Sequence, residues 1–209
     1  MPTPAPTPTI PPEPAAQRQA LLTLLRQEPR GSAGRQQQRL RALIGALERG
    51  MPANLAAPGS LAQLEGVWEL RWCSSRQPYL AVAPWFENLQ LLAPSQGRAM
   101  NLLRLPGLLG PLAAIAVEAT IQVETPAAPP AGSAPQQRVQ VRFRRGGWLG
   151  PPLGTGRLQL LRTVHQSFPA WLDITVLDEE LRLCRGNTGT QFALLRRSEL
   201  SLEELLPPG

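Results

Sequence analysis

The chain has 209 residues, enough for one domain of average size plus an appendage, and a formal net charge of +6. All 21 basic residues are Arg, and with 24 Pro this indicates a GC-rich genome, so the basic charge is weak evidence for nucleic acid. We do not expect nucleic acid as a partner, because the Arg-rich strand 138–145 lacks exposed aromatic residues on which bases could stack. The two Cys exclude a disulfide framework, no signal peptide is apparent, and the longest uncharged apolar stretch, 105–117, is too short to span a bilayer. We expect a soluble or peripheral protein.

Residues 1–14 contain seven Pro and no apolar period, which predicts a disordered tail. Residues 15–60 predict two helices, 15–28 and 35–49, the second with Leu40, Leu43, Ile44 and Leu47 on one face. That helix either packs across an end of the following domain or lies on a membrane. Seven Arg against three Glu in residues 1–60 favour either an anionic membrane surface or a solvated helix face.

Residues 61–197 change to a period of two, and 198–209 are interpreted as a C-terminal tail. Eight or nine short strands without a crossover helix predict an all-β, closed antiparallel barrel. Such a barrel is just wide enough to hold one small ligand, although the same alternation fits a solid core equally well. The residues expected to line the interior are Trp68, Leu70, Trp72, Val117, Ile121, Val139, Val141 and Phe143.

The strand 181–185 contains the most informative charge. If Leu181 and Leu183 face inward, Arg185 does too, either packing over Trp68 or contacting a ligand. The same alternation turns Cys73 and Cys184 outward, as inert thiols or as a regulatory disulfide between neighbouring strands.

Two segments, 104–111 and 146–154, are rich in Gly and Pro and yet apolar, so we predict loops. They either plug the end of the barrel or form a lid and membrane-contact rim through which an apolar ligand enters. The rim residues are Leu105, Leu108, Leu109, Trp148, Leu149 and Leu153.

Five further residues lie in predicted tight turns or at the start of a strand, and we predict structural roles for them. These are Gly66, Asp178, Gly186, Asn187 and Gly189. His165 is the only His, and neither a nucleophile elbow nor a phosphate-binding loop is present. We therefore predict a protein that is not an enzyme and has no cofactor or metal.

Four segments, 64–75, 110–113, 138–143 and 171–192, resemble the plastid lipid-associated protein (fibrillin) family in content and order. The most specific is Leu177-Asp-Glu-Glu-Leu-Arg-Leu-Cys-Arg-Gly186. The resemblance implies a lipocalin-like barrel, with Trp68 and Arg185 as its Trp–Arg pair.

The same resemblance implies a protein peripheral to photosynthetic membranes or lipid droplets that binds an isoprenoid, carotenoid, quinone or other lipid. The absence of a transit peptide suggests a cyanobacterial member, cytoplasmic and peripheral to the thylakoid membrane. The alternative is a lipocalin-fold phycobilin chromophore lyase, in which Arg185 would grip the propionates of a tetrapyrrole.

Overall fold

The computed structural model describes residues 13–75, 77, 80–107, 110, 112–124, 137–153 and 156–206. The predicted tail 1–14 therefore lies almost entirely outside the described residues. Within them the helices are α1 (Pro14–Leu25), α2 (Gln37–Gly50), α3 (Ser60–Leu64) and α4 (Leu202–Leu205), with a 3₁₀ turn at Ser32–Gln36. The strands are β1 (Gly66–Cys73), β2 (Glu87–Ala93), β3 (Arg98–Arg104), β4 (Ala114–Val123), β5 (Arg138–Leu153), β6 (Gly156–Thr163), β7 (Ala170–Leu177), β8 (Leu181–Gly186) and β9 (Gln191–Arg196). The all-β prediction is confirmed.

The nine strands form one antiparallel sheet in the order β4-β3-β2-β1-β9-β8-β7-β5-β6, and an additional β4–β5 pairing closes it into a ring. Strand β5 makes this closure possible because it has 16 residues. One edge pairs with β4, while the other pairs first with β7 and then with β6. Strand β6 therefore extends the sheet beyond the ring.

The loop predicted at 146–154 is wrong, because most of this segment is the second half of β5. A register shift between Leu149 and Pro152 absorbs the irregular residues, as a β-bulge does. Gly147 has a φ of 156° and lies so close to β6 that a Cβ would meet the Leu160 carbonyl oxygen at 2.1 Å. Here the glycine permits close strand pairing and does not end the strand.

The ring interior holds one apolar cluster, contributed by the inward face of most strands. The segment before β1 adds Ala53, Leu55 and Leu64 to this cluster. This segment is fixed to the sheet because the Ala53 amide donates to the Thr175 carbonyl and the Trp68 indole donates to the Leu64 carbonyl. It closes the end of the ring at which β1 begins.

Helices α1 and α2 pack on the outside of the ring, so the expectation that the second helix crosses an end is wrong. Their apolar residues meet outward-facing Trp72, Val176, Leu181 and Leu183. The physical reason is that β8 turns Leu181 and Leu183 outward, and these side chains require an apolar cover outside the ring. The alternative membrane-lying role is also wrong for α2, since its apolar face is buried against the sheet.

A second outer cluster lies over β1–β4 and the start of the β5–β6 hairpin. Leu200, Leu202, Leu205 and Leu206 of the C-terminal segment pack on it. Part of the predicted tail 198–209 therefore covers the sheet.

Candidate functional site

Strand β8 presents Arg182, and not Arg185, to the ring interior. Leu181 and Leu183 pack under the helices, which turns Arg182 and Cys184 inward. Arg185 lies outside, where its Nε donates to Glu48 at 2.8 Å. The inward assignment of Arg185 is wrong because it assumed that Leu181 and Leu183 face inward. Both faces of β8 are covered, so apolar residues occur on its outer face as well.

Two guanidinium groups lie over the Trp68 ring, and neither belongs to Arg185. The Cζ of Arg196 is 4.2 Å from the ring centroid and that of Arg182 is 5.2 Å away. Arg196 also donates to the carbonyls of Glu65 at 2.8 Å and Glu179 at 2.7 Å. The Trp–Arg contact expected of Trp68 is thus made chiefly by the last strand, at the closed end of the ring.

Arg182 is the most deeply buried charged residue described, with none of its surface exposed. It donates to the side-chain oxygen of Gln90, while its Nε and Nη1 have no hydrogen-bond partner among the described residues. Burial lowers the pKa of Arg182 to about 10. Sequence reasoning missed this residue, and the signal was the charged position between Leu181 and Leu183.

Trp72 is likewise outside the ring, contrary to its predicted interior place. Between Leu70 and Trp72 the pairing of β1 with β9 shifts by one residue, so Arg71 bulges out of register. The bulge inverts the alternation beyond Leu70 and puts the indole against α1 and α2.

Both cysteines face the interior, and the outward assignment is wrong for both. Cys73 pairs with Phe192, which pairs with Cys184, so a whole strand separates the two thiols. Two strand spacings of about 4.8 Å exceed the Cα separation that a disulfide bridges. Burial raises the pKa of both thiols, that of Cys184 to about 11, as expected of unreactive cysteines.

The other predicted lining residues lie on the interior face. Trp68, Leu70, Ile121 and Val139 are buried in the interior cluster, and half-buried Val141 and Phe143 pack against it. Half-buried Val117 continues the same face of β4. The idea that these side chains contact a ligand remains a prediction.

Along β4 this inward face runs from the buried core to solvent. Ile121 and Ala119 belong to the interior cluster, Val117 is half-buried, and Ile115 is 58% exposed. Across the sheet Ile115 pairs with Trp148 of β5, which pairs with Leu160 of β6. These three side chains form one cross-strand row, 42–63% exposed, that we call the rim row.

Trp148 is fixed within the rim row by Gly150. A Cβ on Gly150 would lie 2.2 Å from the indole Cη2, so the ring lies directly over this glycine. The other rim predictions divide: Leu153 is exposed, Leu105 is half-buried, and Leu149 is buried on the outer face. Leu108 and Leu109 fall outside the described residues.

The predicted structural positions have the expected geometry. Asp178 Oδ1 accepts from the amides of Glu180 and Leu181, and its carboxylate binds Arg18 at 2.6 Å. Gly189 has a φ of 76°, and Asn187 donates from its amide nitrogen to the Pro169 carbonyl. At two other glycines a Cβ would be close to a neighbour: 2.5 Å from Arg196 at Gly66, and 3.4 Å from Phe192 at Gly186.

Two surface cavities lie away from the interior face. One, of about 430 Å³, follows the exposed N-terminal turn of α2, and the other, of about 410 Å³, lies beside α4. The described part of the chain has no group of three His, Cys, Asp or Glu placed to hold a metal ion. None of its helices combines the length and apolar character needed to cross a membrane.

Comparison with known proteins gave no assignment. No protein-family model matches the chain, and no curated protein matches it.

Proposed function

We propose that this protein binds one apolar small molecule, of the isoprenoid, carotenoid, quinone or lipid class, on the interior face of its ring without chemical change. We also propose that it is a lipocalin-like member of the fibrillin family, cytoplasmic and peripheral to photosynthetic membranes or lipid droplets. The observation that carries the proposal is the inward face of β4, apolar from buried Ile121 to exposed Ile115.

Exposed apolar side chains support a binding role because each costs free energy in water. Removing apolar surface from water contributes about 25 cal/mol per Å², so a ligand that covers the rim row gains binding energy there. Trp148 adds a large, fixed ring to that surface. The apolar surface therefore continues from solvent to the packed interior.

The half-exposed part of the face is the binding region that we propose. Trp68 and Leu70 are packed at the closed end, where Arg182 and Gln90 also meet, so they serve as its base. Val117, Val141 and Phe143 are half-buried on the same face. A ligand tail would contact these three, with its exposed part over Ile115 and Trp148.

The phycobilin lyase alternative loses the residue on which it depended. Arg185 lies on the outer wall and binds Glu48. The interior guanidinium is that of Arg182, at the closed end over Trp68. We therefore favour an apolar ligand over one with two propionates.

Native mass spectrometry of protein purified from a photosynthetic host, followed by organic extraction, tests the proposal. We expect one carotenoid, quinone or lipid per chain. Ala119→Phe places a large ring in the interior and should remove the bound mass. Thr120→Phe is the matched control, because Thr120 is exposed on the opposite face of the same strand, and it should keep the ligand.

Folding of both variants is checked by circular dichroism. An empty wild-type protein, or equal loss of ligand in both folded variants, would contradict the proposal. A stoichiometric phycobilin would instead favour the lyase alternative.

A further inference from the structure

We infer that the ring interior binds the carboxylate head of a long-chain lipid acid, with Arg182 as its cationic partner. The inference rests on the proposed function, because it names the class of lipid bound and the end that enters first. It is carried by the unused hydrogen-bond donors of Arg182 and by the polar side chains that connect this residue to solvent.

Arg182 is a buried cation without a carboxylate partner among the described residues. Its pKa of about 10 lies well above neutral pH, so the guanidinium keeps its charge. The Trp68 ring, with its centroid 5.2 Å from Cζ, and the side-chain oxygen of Gln90 compensate this charge only in part. Since a buried charge is costly unless it is paired, an anionic group at this position would be favoured.

The unused hydrogen-bonding groups at this position are donors. Nε and Nη1 of Arg182 have no partner in the part of the chain that the structure describes. The side-chain oxygen of Gln90 already accepts from Nη2 of Arg182, which leaves the Gln90 amide nitrogen as a further donor. A positive charge with spare donors selects a ligand group that only accepts hydrogen bonds. A carboxylate is such a group, and its single negative charge matches one guanidinium.

These donors are connected to solvent along the inward face of the sheet. Strands β9 and β1 lie between β8 and β2, so the Arg182 side chain reaches Gln90 across the ring interior. Gln90 is half-buried and pairs with Asn101 of β3, which is exposed. Asn101 pairs with half-buried Val117 of β4. The inward face is therefore open to solvent as far as Gln90, which a headgroup meets before it reaches Arg182.

The two sides of this opening differ in polarity. Gln90 and Asn101 place amide groups on β2 and β3, whereas Val117 and the rim row place apolar surface on β4–β6. A single-chain lipid with one carboxylate fits this arrangement, with its head at Arg182 and its tail along Val117 toward the rim row. A neutral lipid of the same length would cover the same apolar surface but leave the guanidinium without an opposite charge.

Fluorescence titration with cis-parinaric acid and with cis-parinarol tests this site, because the two probes share one fluorescent tail and differ only in the head. Each probe gains fluorescence when its tail enters an apolar environment. The titration is made at about pH 8, where a carboxylic acid is ionised. We expect wild type to bind the acid at least about tenfold more tightly than the alcohol, as a hydrogen bond between charged groups contributes.

Two variants remove this preference by different routes. Arg182→Met deletes the charge and keeps an unbranched side chain, so it should bind the acid no more tightly than the alcohol. Its affinity for the alcohol should stay as in wild type. Gln90→Glu instead places a carboxylate where the side-chain oxygen already accepts from Arg182, so the protein itself supplies the anion. It should also lose the preference for the acid, and it gives the same test if Arg182→Met does not fold.

The matched control is Arg185→Met, which removes the same charge from the outer side of the same strand, where Arg185 binds Glu48. This variant should keep the preference for the acid. Equal affinity of wild type for the two probes overturns the inference and leaves the ligand proposal standing. The same holds if the preference survives in folded Arg182→Met, or if Arg185→Met loses it equally. Binding of neither probe to wild type contradicts the ligand proposal itself.

Discussion

At the scale of single residues, Arg196 joins three parts of the closed end. Its guanidinium stacks on Trp68 and donates to carbonyls of the segment before β1 and of the β7–β8 turn. Those carbonyls lose their partners in Arg196→Met. We expect the free energy of unfolding to fall by about 2–4 kcal/mol, measured by chemical denaturation.

The control for this prediction is Arg39→Met, at an exposed site on α2. A surface substitution of that kind changes stability by about 0.5 kcal/mol or less. If the two variants differ from wild type by the same amount, the closed-end role of Arg196 is wrong.

Gly150 lacks a side chain because the Trp148 ring occupies the space above it. Gly150→Ala would put a Cβ 2.2 Å from the indole, and overpacking of this kind costs about 1–3 kcal/mol. In the Trp148→Ala background the space is free, so the same substitution should cost nothing. A double-mutant cycle by thermal denaturation measures the difference, and a cost independent of Trp148 would refute this reading.

The sequence predicts whether a side chain points into or out of the ring only where one face of the strand is polar. Val139, Val141 and Phe143 alternate with exposed or half-buried Arg and Gln, and their inward direction is as expected. On β8 both faces are covered, so hydrophobicity could not distinguish the inward face from the outward face. The prediction therefore placed Arg185 inside the ring, where the structure has Arg182. The bulge at Arg71 made the prediction for Trp72 wrong in the same way, because one extra residue reverses the direction of the side chains that follow it in the strand.

At the scale of elements, a buried charge cluster ties five parts of the chain together on the outer side of the ring. Glu69 of β1 binds Arg30 before the 3₁₀ turn, Arg71 of β1 and Arg197 after β9. Glu87 of β2 binds Arg104 of β3, and shares Arg30 and Arg197 with Glu69. Both carboxylates are buried, so each neutralises guanidinium groups that would otherwise be unpaired.

Glu69→Gln removes one of these charges without changing the shape of the side chain. We expect a loss of about 3–5 kcal/mol in the free energy of unfolding at pH 7, because guanidinium charge is left uncompensated. Glu199→Gln, which affects an exposed partner of Arg197, should cost about 1 kcal/mol or less. Similar losses in the two variants would mean that the cluster does not stabilise the fold.

The same cluster predicts how stability depends on pH. Burial opposes ionisation of Glu69, but hydrogen bonding from Arg30 and the charges of Arg71 and Arg197 outweigh it and lower its pKa below 4.5. The unfolded chain then binds protons first as the pH falls, so this stabilisation is complete above pH 4.5 and disappears below it. Denaturation between pH 7 and pH 3 should show a smaller loss in Glu69→Gln than in wild type.

The helices and strands themselves were easier to predict than the elements against which they pack. The period of two gave the strand number, and the period of Leu40, Ile44 and Leu47 gave α2. The outer position of the helices depends on contacts with β7–β9, more than a hundred residues away, which no local pattern specifies. The second half of β5 was missed because Gly and Pro usually end a strand, and here a bulge accommodates them.

At the scale of the whole molecule, charge is distributed differently from the sequence-based expectation. The N-terminal segment has an excess of four Arg, yet in the fold Arg18, Arg26 and Arg30 meet Asp178, Glu180 and Glu69. Arg35, Arg39, Arg41 and Arg49 stay exposed around α2, so ion pairing removes only part of the basic character of this segment. The rim row, by contrast, exposes apolar side chains at the open end of the ring.

The apolar rim row and the interior face behind it lead to a prediction about ligand binding and stability together. A ligand that binds only the folded state at a hundred times its Kd stabilises by about 2.7 kcal/mol, or about 5–10 °C in Tm for a chain of this size. We expect a short-chain quinone to raise the Tm of wild type by that amount and that of Thr120→Phe equally. Ala119→Phe should show no rise, because its added ring fills the interior next to Phe143, with which position 119 pairs. Each variant is compared with itself, with and without quinone, so any overpacking cost of the substitution cancels. An equal rise in Ala119→Phe would locate the quinone outside the ring, and the interior face would then be a core that continues into an exposed rim without holding a ligand.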